Sequence, residues 1–378
     1  MRIGLVAGEA SGDQLGAGLI RAIRQRHPDT VFEGVAGPAM IDAGCEAWAP
    51  SEDLAVMGLV EPLRHVPRLL RLRSSLAQRW QTSPPDVFVG IDAPDFNLGL
   101  ETRLRAAGIP TVHYVSPTIW AWRPKRVKKI ARAADKVLCI LPFEPALYRD
   151  AGVDAEFVGH PKADSLSQPE NIAELKAALG LDAQKTLVAL LPGSRRGEVS
   201  RLLDTILGSA RLLAGKDPDL QFVLPAATPA IEAMIGEGLK QNGLESCVSV
   251  LHGQGVDAMA AADLVIMASG TAVLEAALLG KPCIAVYKLA PMSAAIVRAF
   301  DLLKLEYVTL PNNLTEEPLV PEFLQEAATP EVVAAEAGRL LEDDARRALI
   351  RDRFAKLRED MALDADERAA DAVLRMTA

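Results

Sequence analysis

Short apolar runs alternate with longer amphipathic stretches along most of this chain. Ten runs have the composition of buried strands: Arg2–Ala7, Val31–Val35, Asp86–Ile91, Thr111–Val115, Lys136–Leu141, Thr186–Leu191, Gln221–Leu224, Ser246–Val250, Leu264–Met267 and Cys283–Tyr287. Helical periodicity fills most of the gaps between these runs. Strands that alternate with helices are typical of parallel sheets, so the pattern predicts an α/β fold.

A polar stretch with two prolines, HPKADSLSQPEN at 160–171, separates two series of strands. It predicts a boundary between two Rossmann-like domains, 1–165 and 166–340, that face a cleft. After about Thr329 the chain is helical and charged. We expect residues 341–378 to form a helical tail that packs across the domains or in a dimer.

Length and composition agree with this division. The chain has 378 residues, of which 49% are hydrophobic and 24% charged, as in ordinary globular domains. Its longest stretch without a charged residue, 106–122, contains Gly and Pro, so no spanning helix is predicted. The first apolar run meets Glu9 and predicts a strand rather than a signal peptide, hence a cytoplasmic protein. Four scattered cysteines predict reduced thiols.

Charge is unevenly distributed. The net charge is −9, yet residues 57–136 contain 14 basic and 6 acidic side chains. Such an excess attracts phosphate or an anionic membrane surface. No motif supports nucleic acid as a partner.

Two turns in the second half predict an anion site. The run Thr186–Leu191 continues into Gly193, Ser194 and Arg195 before a helical stretch. Backbone N–H groups at a helix start, a hydroxyl and a guanidinium can converge on phosphate oxygens. A capped turn with a solvent-exposed Arg is the alternative.

The second turn follows LVIMA (264–268) and contains Ser269, Gly270 and Thr271, with Glu275 one helical turn further on. Its backbone could bind a diphosphate and Glu275 the ribose hydroxyls, although a simple Thr N-cap is also compatible. Two such turns favour a nucleotide. The fingerprints GxxxxGK[ST] and GxGxxG are absent, so a nucleotide-sugar donor without a metal or other cofactor fits better than an ATPase or a dehydrogenase.

Carboxylates follow strands in the first half. Asp92 comes directly after Asp86–Ile91 and is our candidate base for an acceptor hydroxyl, whereas Asp95 fits a helix cap. Glu9, in the turn GEASGD (8–13), could be catalytic or structural. The residues predicted to contact the acceptor are Ser11, Gly12, Asp13, Asn97 and Ser116. We expect His113 and His160 to be structural.

Two basic segments carry apolar side chains at helical spacing. Between Leu63 and Trp80, apolar residues that include Val66, Leu69 and Leu70 alternate with arginines such as Arg71. Beside Trp120 and Trp122 lie Arg123, Lys125 and Arg126. Core packing or a solvated helix face explains such patterns, and so does contact with acyl chains or anionic lipid.

Nine segments, taken in order, resemble the lipid-A-disaccharide synthase family. They are GEASGDQLGAGLI (8–20), AVMGLVE (55–61), PPDVFVGIDAPDFN (84–97), HYVSPTIWAWRPKRVKKI (113–130), LPFE (141–144), FVGHP (157–161), LLPGSRRGEV (190–199), ASGTAVLEA (268–276) and YVTLPN (307–312). Each alone is weak, but the ordered set is specific.

The resemblance implies a GT-B glycosyltransferase that moves 2,3-diacylglucosamine from UDP to 2,3-diacylglucosamine 1-phosphate. It implies inversion, a β(1→6) product and UDP, no metal, and attachment to the cytoplasmic face of the inner membrane. On this resemblance Asp92 is the base, Arg195 contacts phosphate, Glu275 binds ribose and Asn312 lies at the cleft.

The chain departs from the family pattern after Asn312, where NLTEEPLVPE replaces a loop with Gly and Arg and a basic contact is missing. Two alternatives stay open. One is a UDP-sugar epimerase or another sugar transferase of the same fold, and the other is a membrane-surface adaptor that only binds nucleotide.

Overall fold

The computed structural model describes residues 1–54, 62–120, 126–289 and 306–377, without the side chains of 62–65. The chain forms two compact units. The first comprises Met1–Asp164 together with Met361–Ala378, and the second Ser165–Asp360. Each unit is built on one parallel sheet, which confirms the predicted α/β class.

The strands are β1 Arg2–Ala7, β2 Val31–Ala36, β3 Cys45–Pro50, β4 Val87–Ile91, β5 Thr111–Tyr114, β6 Lys136–Cys139, β7 Asp154–Phe157, β8 Leu187–Leu191, β9 Gln221–Ala226, β10 Val248–His252, β11 Leu264–Ala268, β12 Cys283–Tyr287 and β13 Glu322–Leu324. In the first unit their order is β3-β2-β1-β4-β5-β6-β7, and in the second β10-β9-β8-β11-β12-β13. The order reverses between β1 and β4, and again between β8 and β11. These switch points are where open parallel sheets bind ligands.

The helices are α1 Glu9–Arg26, α2 Pro38–Asp42, α3 Pro62–Thr82, α4 Pro94–Ala106, α5 Val127–Ala133, α6 Glu144–Arg149, α7 Pro161–Ser165, α8 Ile172–Ala178, α9 Arg196–Lys216, α10 Pro229–Asn242, α11 Gly255–Ala261, α12 Thr271–Leu278, α13 Leu310–Leu314, α14 Pro330–Glu342, α15 Asp344–Met361 and α16 Ala365–Leu374. The central strands are covered on both faces, so residues such as Leu5 and Val89 are completely buried. Within the described ranges no helix is long and apolar enough to span a bilayer.

All ten predicted strands are present, the weakest match being β10, which begins two residues later than expected. Three further strands, β3, β7 and β13, were not predicted. Each lies at the edge of its sheet. Edge strands are covered on fewer sides, and their side chains are partly exposed, so they lack the continuous apolar run that marks a central strand.

The C-terminal segment is helical, as predicted, but 341–378 does not form a unit of its own. Its part up to Asp360 belongs to the second unit and Met361–Ala378 to the first. Helix α16 packs on α1, where Arg26 forms ion pairs with Glu367 and Asp371. A Cβ atom at Gly18 would lie 2.2 Å from a carboxylate oxygen of Asp366, so the absence of a side chain at 18 permits this close packing.

Candidate functional site

Three strained turns lie together where neighbouring strands of the first sheet end, at the carboxyl ends of those strands. Glu9, Asp92 and Val115 follow the neighbouring strands β1, β4 and β5, and their φ angles are 61°, 51° and 77°. Ala93, next to Asp92, has a φ of 42°. Left-handed backbone is unfavourable for residues other than glycine, and such strain concentrates at functional sites. The switch point of the first sheet is therefore a candidate site, and it contains both predicted catalytic residues.

The Asp92 turn is held by buried hydrogen bonds. The Asp92 N–H donates to the Tyr114 carbonyl at 2.8 Å, and the Asn97 amide donates to the Asp92 carbonyl at 2.8 Å. Burial raises the pKa of the Asp92 carboxyl group, while His113 and the Ala93 N–H act in the opposite direction. The half-buried carboxylate is thus fixed in place and more basic than an exposed one, as a general base requires.

A cavity of about 570 Å³ opens beside this turn, and we call it the Asp92 pocket. Helix α3 supplies one side of it through Val66, Leu69, Leu70 and Arg73. The other described lining residues are Gly8, Glu9, Leu54 and 92–96. The pocket thus brings together two groups that the sequence pattern predicted separately, the candidate base and the apolar side chains of the basic helix.

None of the five residues predicted to contact an acceptor lines the described part of this pocket. Asp13 is buried, and its carboxylate accepts hydrogen bonds from the backbone N–H groups of Gly37, Ala39 and Met40. Asn97 holds the Asp92 turn, and the Ser116 hydroxyl lies 2.7 Å from the Tyr148 hydroxyl. These three have structural partners. Gly12 is buried and Ser11 exposed, and their predicted contacts stay predictions.

The residues predicted to contact lipid are only partly described. Val66 and Leu70 are 39% and 45% exposed, whereas the Arg71 Nε donates to a carbonyl of its own helix, that of Pro67, at 3.3 Å. Arg126 pairs with the exposed Asp95. The N-cap of α4 is Ala93 and no side chain caps that helix, so the predicted helix cap at Asp95 is wrong. The Leu63 side chain, Arg123 and Lys125 lie outside the described residues.

A second cavity, of about 640 Å³, lies at the switch point of the second sheet, and we call it the Gly193 pocket. Seven of the eight residues predicted to bind a nucleotide line it: Gly193, Ser194, Arg195, Ser269, Gly270, Thr271 and Glu275. The N-terminal ends of α9 and α12 therefore meet at one cavity, where their backbone N–H groups and dipoles favour an anion. Among the described residues, no cluster of His, Cys, Asp or Glu is suited to a metal ion.

Each of the two turns contains a glycine at the point where the backbone enters the helix. Gly193 has a φ of 117°, and the Ser194 N–H donates to a Glu198 carboxylate oxygen at 3.3 Å. At the other turn Gly270, not Thr271, is the N-cap, and no side chain caps the helix there. The Thr N-cap alternative is therefore wrong, and the hydroxyl of Thr271 is not used to start the helix.

Twelve of the described lining residues were not predicted, and two of these, Glu198 and Tyr287, have polar side chains. Burial and the Glu198 carboxylate raise the pKa of the Tyr287 hydroxyl, and Arg201 opposes them. The GSRRGE pattern, with Glu198 three residues after the N-cap Arg195, could have indicated a capping carboxylate. No sequence signal marks Tyr287, which is simply the last residue of an apolar strand.

Asn312, the eighth predicted residue, does not line the Gly193 pocket. It is buried, its amide donates to the Val320 carbonyl and to Glu322, each at 2.8 Å, and its oxygen accepts from the Leu319 and Val320 N–H groups. Its hydrogen bonds thus connect α13 to β13 and to the segment that precedes this strand.

Comparison with known sequences gives a consistent result. Residues 3–375 match the family described as Lipid-A-disaccharide synthetase. A lipid-A-disaccharide synthase of Alkalilimnicola ehrlichii is 50% identical over 99% of this chain and 98% of its own length. The enzyme of the same name from Saccharophagus degradans is 45% identical over 100% of this chain and 97% of its own.

Solved structures resemble the fold at low identity. A UDP-GlcNAc 2-epimerase from Neisseria meningitidis bound to UDP-GlcNAc has a TM-score of 0.65 and 12% identity, with 99% of this chain and 100% of that chain covered. A glycotransferase of kitacinnamycin has a TM-score of 0.62 and 15% identity, with 99% and 98% covered. At such identities the likeness concerns the fold alone, the two-domain GT-B type, so it does not favour an epimerase.

Proposed function

The chain belongs to the lipid-A-disaccharide synthase family, and from this membership we propose how its two pockets divide the work. The enzyme is a glycosyltransferase that joins UDP-2,3-diacylglucosamine and 2,3-diacylglucosamine 1-phosphate into the lipid A disaccharide and releases UDP. The Gly193 pocket binds the UDP part of the donor, and the Asp92 pocket binds the acceptor. One observation carries this division: the Asp92 pocket contains both a carboxyl group whose pKa is raised by burial and apolar side chains that suit acyl chains.

In the proposed reaction Asp92 takes the proton from the C6 hydroxyl of the acceptor. The C6 oxygen then uses its electron pair to form a bond to the anomeric carbon of the donor. At the same time the bond between that carbon and the diphosphate oxygen breaks, which inverts the configuration at the carbon and releases UDP. Burial makes Asp92 a stronger base, and its hydrogen-bonded turn fixes its position. Glu9 lines the same pocket and orients the hydroxyl.

The donor's diphosphate gains charge as it leaves, and the Gly193 pocket is suited to stabilise it. The backbone N–H groups at Gly193–Arg195 and Ser269–Thr271 act together with the dipoles of α9 and α12. The Arg195 guanidinium binds phosphate oxygens, and Glu275 accepts hydrogen bonds from the ribose hydroxyls.

The apolar side chains of α3 have two parts in this proposal. Val66, Leu69 and Leu70 line the Asp92 pocket and contact the acyl chains of the acceptor. Val66 and Leu70 are also partly exposed among arginines, and these exposed parts rest on the anionic surface of the inner membrane at its cytoplasmic face. A homodimer through the C-terminal helices, as the helical tail of the sequence predicts, completes the proposed partners. Vesicle flotation and sedimentation velocity test these two points.

The experiment for the central proposal is mass spectrometry of products formed from both lipid substrates by the wild type, Asp92→Asn and Asp29→Asn. Asp92→Asn should lower kcat by about 100- to 10,000-fold without changing the affinity for UDP. Asp29→Asn, at an exposed carboxylate of the same unit that does not line the Asp92 pocket, is the matched control and should retain activity. Normal turnover by Asp92→Asn would remove the base assignment, and epimerised donor in place of disaccharide would contradict the reaction.

A further inference from the structure

The arginines of α3 differ in what they contact. Arg68 forms an ion pair with Asp53, and Arg71 donates to the Pro67 carbonyl. The guanidinium of Arg79 lies over the Trp48 ring, 3.5 Å from its centroid. Each of these three therefore has a partner within the protein, and each is explained by packing or by solvent.

Arg73 is the exception. Its Nε atom is buried and has no hydrogen-bond partner in the described part of the chain, and no described carboxylate forms an ion pair with it. Burial and the neighbouring Arg103 lower the pKa of its guanidinium group, so both work against its positive charge. An anion that joins the guanidinium would offset both effects.

The guanidinium of Arg73 packs against α4. A Cβ atom at Gly99 would lie 2.3 Å from the Arg73 Nη1, so the guanidinium lies directly against the backbone of that helix. The same side chain lines the Asp92 pocket. Packing on α4 restricts the side chain beside the pocket, which lowers the entropy lost when a ligand binds to it.

The pocket indicates which anion would bind. Arg73 lines the Asp92 pocket, in which the candidate base lies on one side and the apolar residues Leu69 and Leu70 on the other. A ligand that satisfies all three features has a hydroxyl to be deprotonated, acyl chains and an anionic group. Guanidinium groups bind phosphate oxygens in pairs, which suits a phosphate monoester.

We infer that Arg73 binds the phosphate of the acceptor, and this rests on the proposed acceptor role of the Asp92 pocket. The phosphate is carried by C1 of the acceptor sugar and the reacting hydroxyl by C6. C1 and C5, the carbon that bears C6, are both bonded to the ring oxygen, so an anchor at C1 holds the edge of the sugar that carries the reacting hydroxyl near Asp92. Arg73 is therefore a residue that selects the phosphorylated monosaccharide and orients it for attack.

The test compares two acceptors, 2,3-diacylglucosamine 1-phosphate and 2,3-diacylglucosamine, in the wild type, Arg73→Gln and Arg79→Gln. The wild type should prefer the phosphorylated acceptor. Arg73→Gln should raise its KM by roughly 10- to 100-fold, leave the KM of the unphosphorylated acceptor and of the donor unchanged, and so abolish the preference. Arg79→Gln removes a charge from the same helix outside the pocket and should keep the preference.

Two results would overturn the inference: equal increases in KM for both acceptors, or a preference that survives in Arg73→Gln. If that variant fails to fold, Arg73→Lys keeps the charge without the paired donors. It should reduce the preference by a smaller factor, and undiminished discrimination would likewise reject the role. Failure of the base assignment is seen separately, because it concerns turnover by Asp92→Asn and not the ratio between acceptors.

Discussion

The Nδ1 atom of His113 lies 2.7 Å from Oε1 of Glu101, and both side chains are completely buried. His113 on β5 is the register partner of Gly90 on β4. A Cβ atom at Gly90 would lie 2.1 Å from Glu101 Oε1, so the glycine makes room for the pair two residues before Asp92. The pair therefore forms part of the electrostatic surroundings of the proposed base.

The first prediction concerns the pH dependence of turnover. A general base works only when ionised, so kcat/KM should fall as the pH falls through the pKa of Asp92, which burial raises. His113 favours the ionised form. Replacing the pair together, as Glu101→Gln with His113→Gln, should move the acid limb to higher pH. A pH–rate profile measures it, with Asp29→Asn, at an exposed carboxylate outside the pocket, as an unaffected control, and a shift to lower pH would contradict the assignment.

The second prediction concerns stability and Glu144. This carboxyl group is 2% exposed, and burial raises its pKa from 4.5 to about 7 despite a hydrogen bond from the Leu141 N–H at 3.1 Å. Because folding raises this pKa, the contribution of Glu144 to the free energy of unfolding is fully present below pH 4.5. It is lost as the pH rises through 7. The wild type should therefore lose up to about 3 kcal/mol over this range relative to Glu144→Gln.

Urea unfolding of the wild type and Glu144→Gln between pH 4.5 and 8 measures this difference. Glu170→Gln, at an exposed carboxylate, is the control and should follow the wild type. A difference between Glu144→Gln and the wild type that stays constant with pH would show that Glu144 does not titrate in this range.

The sequence predicts the sheet centres well because a central strand must be apolar on both faces. The same rule fails at β3, β7 and β13, which are edges with partly exposed side chains. The Gly193 pocket was predictable for a related reason. A short turn between a buried strand and a helix leaves free backbone N–H groups whatever the surroundings are.

Polar residues in turns were harder to assign. Asp13, Asn97 and Asn312 have the same appearance in the sequence as ligand-binding residues, yet each binds backbone groups inside its own unit. Whether a side chain in a turn faces a cavity or the core depends on packing between segments far apart in the chain. Arg73 shows the reverse case: its sequence context resembles that of Arg68, Arg71 and Arg79, and it differs from them in the structure because its Nε has no hydrogen-bond partner among the described residues and its guanidinium lies against Gly99.

The third prediction separates the two roles of Asp13. Its carboxylate accepts three backbone hydrogen bonds, of 2.8, 2.8 and 3.1 Å, from the start of α2. Asp13→Ala should lower the free energy of unfolding by about 2 kcal/mol, because buried donors lose their acceptor, and should leave the KM of the acceptor within a factor of about two. Urea unfolding and acceptor titration measure the two effects. A raised KM without a loss of stability would restore the predicted acceptor contact.

The fourth prediction concerns Gly193 and UDP. Any side chain at this position would be strained at a φ of 117°, and its Cβ would lie 2.2 Å from the Glu198 carboxylate that accepts from the Ser194 N–H. Gly193→Ala must therefore displace either the turn or Glu198, and both disturb the N–H groups proposed to bind the diphosphate. Calorimetric titration should show UDP affinity lowered by at least about tenfold, a loss equivalent to one or two charge-assisted hydrogen bonds.

Gly215 supplies the matched control for this change. It lies on the same helix, α9, and a Cβ atom there would meet no described atom beyond the backbone of its own helix within 4 Å. Gly215→Ala should leave UDP binding unchanged and raise the free energy of unfolding slightly, since alanine favours a helix. Weaker UDP binding in Gly193→Ala together with an unchanged acceptor KM would tie the effect to the donor pocket. Full UDP affinity in Gly193→Ala would instead mean that the diphosphate does not depend on this turn.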